Sequence, residues 1–141
     1  MIDSFSGEYD FLSNFSPSIV SFEGEEYPTV EHGYQAAKTL LAEGRLAVKE
    51  AATPGLAKKY GRRLKLREDW EKVKIGVMEQ LLREKFSDVE LREKLLGTSP
   101  HELVEGNWWG DTFWGVCRGK GENHLGKLLM KIRKEFEHGI Q

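Results

Sequence analysis

Glu31, Gln35 and Lys38 stand four and three residues apart in the stretch "PTVEHGYQAAK" (28–38). On a helix these positions share one face, so a carboxylate, an amide and an ammonium are presented together. A carboxylate can stabilise positive charge developing at a sugar carbon or activate a water. A desolvated lysine is a nucleophile toward a masked aldehyde. Each residue also has an ordinary use, Glu31 as a first-turn carboxylate serving the helix dipole and Lys38 as a solvated cation. Val30, Tyr34, Ala37 and Leu41 form a different stripe, the expected core side. His32 lies about 100° round from Glu31 and has no second histidine four residues away, so the H-E-x-x-H zinc pattern is absent. With four histidines and one cysteine, no metal-ligand spacing is found, and His32 reads as a hydrogen-bonded structural residue. Gly33 costs about 1 kcal/mol relative to alanine inside a helix, which implies a close approach there by another backbone or by a ligand.

A second group lies in "NWWGDTFWGVCRGKGENHLG" (107–126), with three tryptophans in seven residues beside Asp111. Tryptophan stacks on flat heteroaromatic rings, and aspartate accepts a hydrogen bond from them. Gly119, Lys120 and Gly121 run toward a helix start near Asn123, where backbone amides and the dipole suit a phosphate. The Walker spacing is absent, and a tight turn with core-filling aromatics is the competing reading. Cys117 has no supporting motif and the serines lack a nucleophile elbow, so an acyl-transfer triad is not indicated.

The elements that must position these groups follow from periodicity and punctuation. Residues 18–28 suggest a hairpin around "EGEE". Thr29 caps a helix expected to run to about Glu43, and "RLAVKEAA" (45–52) is a second helix stopped before Pro54. Trp70, Val73, Val77, Met78, Leu81, Leu82 and Phe86 give a long amphipathic helix over 68–86, followed by a short one over 88–96. Residues 101–107 read as extended, and Asn123 caps a last helix bearing Leu125, Leu128, Leu129, Ile132 and Phe136. The expectation is a mostly helical α+β single domain over residues 1–141, with a few short strands.

Net charge is −2, against a strongly basic phosphate binder, although "KKYGRRLKLR" (58–67) holds six cations in ten residues. One cysteine excludes an intramolecular disulfide framework and suits a reducing cytoplasm. No apolar run reaches membrane-span length, and the acidic, aromatic N-terminus is not a signal or transit peptide. No motif calls for a metal or organic cofactor, and oligomeric state is left open.

"FLSNFSP" (11–17), "PTVEHGYQAAK", "LREDWEKVKIGVM" (66–78), "NWWGD" and "GKGENHLGKLLMKIR" (119–133) occur in an order and at separations that resemble the YbiA-like, or NADAR (NAD- and ADP-ribose-associated), family. The resemblance covers about Phe11 to Arg133, with Gly33 departing from the larger residue of relatives. It implies an N-glycosidase cleaving the bond from ribose C1 to a base nitrogen beside a phosphate. The substrates it implies are riboflavin-pathway pyrimidine ribosyl phosphates or ADP-ribosylated guanine in nucleic acid. It implies Glu31, Lys38 and Asp111 as catalytic residues. For binding it implies Asn14, Phe15 and Gln35 at the ribose or base edge, Trp70 and Trp109 in stacking, and Gly119, Lys120, Gly121 and Asn123 at phosphate. Lys38 binds phosphate, or orients Glu31, or is the nucleophile of an imine with C1 of a ring-opened ribose. The competing classes are a non-catalytic ADP-ribose or NAD-binding module and a structural domain.

Overall fold

The computed structural model describes residues 1–139 and shows a mixed α+β fold. Its backbone divides into two compact units, residues 14–85 and residues 1–13 with 86–139.

The unit of residues 14–85 opens with an antiparallel hairpin, β1 (Val20–Phe22) and β2 (Glu25–Tyr27), in the register Val20↔Tyr27. Glu23 and Gly24 make its two-residue turn, both with positive φ (49° and 86°), as a tight right-twisted hairpin requires. Four helices follow: α1 (Val30–Ala37), α2 (Ala42–Lys49), α3 (Pro54–Gly61) and α4 (Trp70–Lys85).

Helix α1 is capped by Thr29, whose hydroxyl accepts from the His32 amide, and all eight of its residues are buried. It stops at Ala37, six residues short of the expected end at Glu43. Outside donors explain the stop. The Arg67 amide takes the Lys38 carbonyl at 2.7 Å and Arg45 Nε takes the Thr39 carbonyl at 2.8 Å. Carbonyls thus occupied are satisfied without another helical turn. The second helix stops before Pro54 as expected, although it spans Ala42–Lys49. Pro54 then opens the unexpected α3 behind the Thr53 cap, where its missing N–H costs no hydrogen bond.

The expected stripe of α4 is present, with Trp70, Val77, Met78, Leu81 and Leu82 buried. Gly33 exists for this packing. A Cβ there would stand 2.8 Å from Leu81 Cδ2, so what approaches is a side chain of α4 and not a ligand.

The other unit begins with a 3-10 turn at Gly7–Leu12. Helix α5 (Val89–Leu96) is capped by the Asp88 carboxylate, which accepts from the Leu91 amide. Two parallel pairings tie the chain here, an isolated bridge Ile2↔Leu103 and the two-residue strands β3 (Gly106–Asn107) and β4 (Val116–Cys117). The last helix, α6 (His124–Glu137), buries Leu125, Leu128, Leu129 and Ile132. No described helix is long and apolar enough to cross a membrane.

Candidate active site

Within residues 14–85, the face expected of α1 is present. Glu31 is 8% exposed, and its Oε2 accepts from Gln35 Nε2 at 2.6 Å. The Glu31 amide donates to the Asn14 carbonyl at 3.1 Å, which fixes the start of the helix against the loop before the hairpin. Three residues beyond Gln35, the half-buried Lys38 lies with Nζ 5.7 Å from the Tyr34 ring centroid. Burial lowers the Lys38 pKa below the ordinary lysine value. Glu31 opposes that shift by attraction, and the cations Arg62, Lys58 and Lys74 reinforce it. Carboxylate and amine are therefore close enough to feel each other's charge, and the amine is biased toward its neutral, nucleophilic form.

Trp70 is buried with its ring 5.1 Å from that of Tyr34, so it backs the ring that lies beside Lys38. Asn14 Nδ2 reaches the Met78 sulfur at 3.5 Å, and Asn14 Oδ1 is enclosed without a hydrogen-bond partner among protein atoms. Such a buried acceptor costs about 1–3 kcal/mol unless a donor reaches it. Phe15, beside it, is 43% exposed. His32 is structural. Its Nε2–H donates to the Ala51 carbonyl at 3.0 Å, which leaves Nδ1 to accept from the Thr29 hydroxyl at 2.8 Å. The described residues include no cluster of three or more His, Cys, Asp or Glu able to hold a metal.

The group expected on the Trp-Gly loop is placed differently. Asp111 Oδ1 accepts from the amides of Phe113 and Trp114, at 3.0 and 2.9 Å. Asn107 grips both the amide and the carbonyl of Asp111. Asp111 is thus a loop brace, which accounts for its presence without an acid role. The expected phosphate cradle has hydrogen-bonded backbone around the helix start. The amides of Asn123, His124 and Leu125 donate to the carbonyls of Gly115, Phe113 and Trp114, so the start of α6 already has its acceptors. Lys120 and Cys117 exchange backbone hydrogen bonds in a turn that uses Arg118 and Gly119 at positive φ, and Gly121 comes next at φ 151°. Asn123 holds the N-cap position in a left-handed conformation with no side-chain capping bond. Its side-chain amide instead accepts from the Glu105 N–H and donates to the Leu103 carbonyl. The amides of Lys120, Glu122, Asn123, His124 and Leu125 are thus engaged by backbone carbonyls. Trp109 and the Lys120 side chain remain exposed, Trp109 edge-on to Trp108.

Three features of residues 14–85 lay outside the expectation. Tyr34, assigned to the core stripe, also flanks Lys38. Lys58 and Arg62 of the basic run act on Lys38, and only the helical i, i+4 spacing of the two hinted at a shared face. A cleft of about 510 Å³ lies beside the end of α1, walled by Leu40, Leu41, Leu66, Arg67 and Asp69, but neither Glu31 nor Lys38 lines it. No periodic signal marks it.

Known proteins give the same reading of the chain as a whole. Residues 3–137 match the NADAR domain. The chain is 42% identical over 137 residues to N-glycosidase YbiA of Escherichia coli, covering 94% of this chain and 85% of that protein. It is 36% identical over 135 residues to a riboflavin biosynthesis protein of Vibrio vulnificus, covering 92% of this chain and 36% of that longer one. The solved NMR structure of E. coli YbiA superposes with a TM-score of 0.85 at 38% identity, covering 99% of this chain and 88% of that one. With its domain matched from end to end and its fold shared, the chain belongs to the NADAR family.

Proposed function

We propose that this protein hydrolyses the bond between ribose C1 and a base nitrogen in a ribosyl substrate that carries phosphate, using Glu31 and Lys38. The N-glycosidase class comes with the family and with relatives that bear that name. The observation that carries the residue assignment is the buried Glu31–Gln35 pair with desolvated Lys38 on one helix face. Asn14 is proposed at the ribose or base edge, with Phe15 beside it. Trp70 is a wall residue behind Tyr34.

Bond breaking at C1 builds positive charge on the sugar, which the Glu31 carboxylate stabilises, and the same group can take a proton from the attacking water. The lowered pKa of the partly buried Lys38 amine supports a covalent version. A ribosyl amine opens when the lone pair of the base nitrogen expels the ring oxygen, which takes up a proton. Lys38 Nζ then adds to C1, and the base nitrogen leaves with a proton, so that C1 and Nζ share an imine. Water adds to that imine, the amine leaves, and the freed aldehyde closes to ribose. The sum is one water consumed, with free base and free sugar produced.

Two substrate classes fit this chemistry: pyrimidine ribosyl phosphates of early riboflavin synthesis, and ADP-ribosylated guanine. The relative named for riboflavin biosynthesis supports the first. The cations at 58–67 support a pyrophosphate or nucleic acid. Release of free base, assayed on both classes side by side, decides between them. No release from either, with ADP-ribose still bound, would leave a binding module. Borohydride added during turnover, followed by peptide mass spectrometry, tests the imine: an adduct on Lys38 is expected, and its absence from a working enzyme removes the covalent route.

A further inference from the structure

Gly61 closes α3, and it is the neighbour that decides where the Gln35 amide can lie. A Cβ built on Gly61 would overlap Gln35 Oε1 and stand 2.8 Å from Gln35 Cδ and 3.1 Å from Gln35 Cβ. Gly61 has no positive φ, so its backbone conformation is open to any residue. The space is what demands glycine. Gln35 itself is 3% exposed, and its Oε1 has no hydrogen-bond partner among protein atoms. The bare Cα of Gly61 lies against that oxygen, in the manner of a weak C–H···O contact. The other end of the amide, Nε2, is spent on Glu31 at 2.6 Å. Every polar atom of the Gln35 side chain is thus directed within the protein, which leaves it poorly suited to gripping a ribose hydroxyl.

We infer that Gln35 and Gly61 are positioning residues: the missing side chain at Gly61 seats the Gln35 amide so that its N–H₂ holds the Glu31 carboxylate in its working rotamer. The inference rests on the proposed role of Glu31 in turnover. A methyl at position 61 pushes the amide off its seat, and the carboxylate then loses that donor. A carboxylate displaced by about 1 Å can lose on the order of 10²-fold in rate. Ground-state binding of substrate does not pass through this amide, so kcat should fall while KM stays.

The test uses Gly61→Ala, Gln35→Met and Gln35→Ala, with Glu31→Gln as the reference. Gly61→Ala should lower kcat at least 10-fold with KM within about threefold. Gln35→Met fills the same space without a donor. It should lower kcat and move the acid limb of the kcat profile to higher pH, because the ionised carboxylate has lost a hydrogen bond. Combining Gly61→Ala with Gln35→Ala should be slower than Gln35→Ala alone by no more than about threefold, since the methyl then keeps only the 3.1 Å contact with the Cβ at position 35. A packing role alone would move neither the acid limb nor the sign of this coupling. Should Gly61→Ala fail to fold, Gln35→Met decides through the limb. An inactive Glu31→Gln beside a Gln35→Met with unchanged kcat and limb overturns this inference and leaves the proposed function standing. A fully active Glu31→Gln overturns both.

Discussion

The face of α1 and the loop over 107–123 are both crowded with polar and aromatic groups, yet they differ in what those groups are already doing. In the loop, Asp111, Asn107 and Asn123 are occupied by backbone donors and acceptors, and the amides at the start of α6 have theirs. On α1, the carboxylate of Glu31 is held by a side-chain amide, and the amine of Lys38 is desolvated beside an aromatic ring. A group consumed in holding a loop has little left to give a substrate. A group buried with its charge in tension has something to gain from one. Composition makes the two regions look equally chemical, and hydrogen-bond accounting separates them.

The largest effect should come from Glu31→Gln, which keeps the shape and removes the charge. A loss of about 10²–10⁴-fold in kcat is expected from the contribution of a general acid or base. Binding of ADP-ribose or a ribose phosphate, measured by thermal shift, should persist. Turnover near the parent level would end the assignment of chemistry to α1.

Next is Lys38→Met, expected to lose about 10²-fold or more in kcat and to abolish any borohydride adduct. It also has a stability signature. The folded-state pKa of Lys38 lies below that of the unfolded chain, so between the two values the unfolded chain binds the extra proton, and stability rises with pH through that window. Below the window the charged amine is a burden to the fold. Denaturant melts of Lys38→Met at neutral pH should therefore show equal or greater stability than the parent, and a clear loss would contradict the burial attributed to this amine.

Asp111 offers the sharpest contrast. Asp111→Ala should cost about 1–2 kcal/mol of stability, since two backbone N–H groups lose their acceptor. Asp111→Asn keeps a carbonyl oxygen in that place and should retain kcat within about threefold, far from the loss expected of a missing acid. A hundredfold drop in Asp111→Asn without destabilisation would restore Asp111 as the acid and erase the distinction between the regions. The smallest effect is expected of Lys120→Gln. Lys120 is an exposed cation that is no part of the face of α1, so its loss should leave kcat and KM within about twofold.

Much of the architecture was legible because it rests on local rules. The hairpin follows from a Glu-Gly turn, α4 from its apolar stripe, and the start of α1 from the Thr29 cap. The end of α1 was not legible, since the donors that stop it come from Arg45 and Arg67, far along the chain. Helix α3 escaped notice for a different reason: a proline after a threonine that follows one helix can also open the next, and the residues beyond it decide. At the site, the i, i+4, i+7 spacing placed Glu31, Gln35 and Lys38 on one face. Their burial was invisible, because no periodicity announces a helix enclosed on every side. The bonding of the amides that open α6 was equally out of sight, because sequence shows which amides exist and not which carbonyls come to meet them.

The enclosure of α1 has a consequence for how the protein fails. A helix with a wet face can fray or breathe alone, whereas one with all eight residues buried has no partial opening that keeps its neighbours packed. Its amides should exchange with deuterium only as slowly as the unit of residues 14–85 unfolds. Activity should therefore disappear in a single step with that unfolding on heating, with no earlier phase in which a folded protein has lost its reactive face.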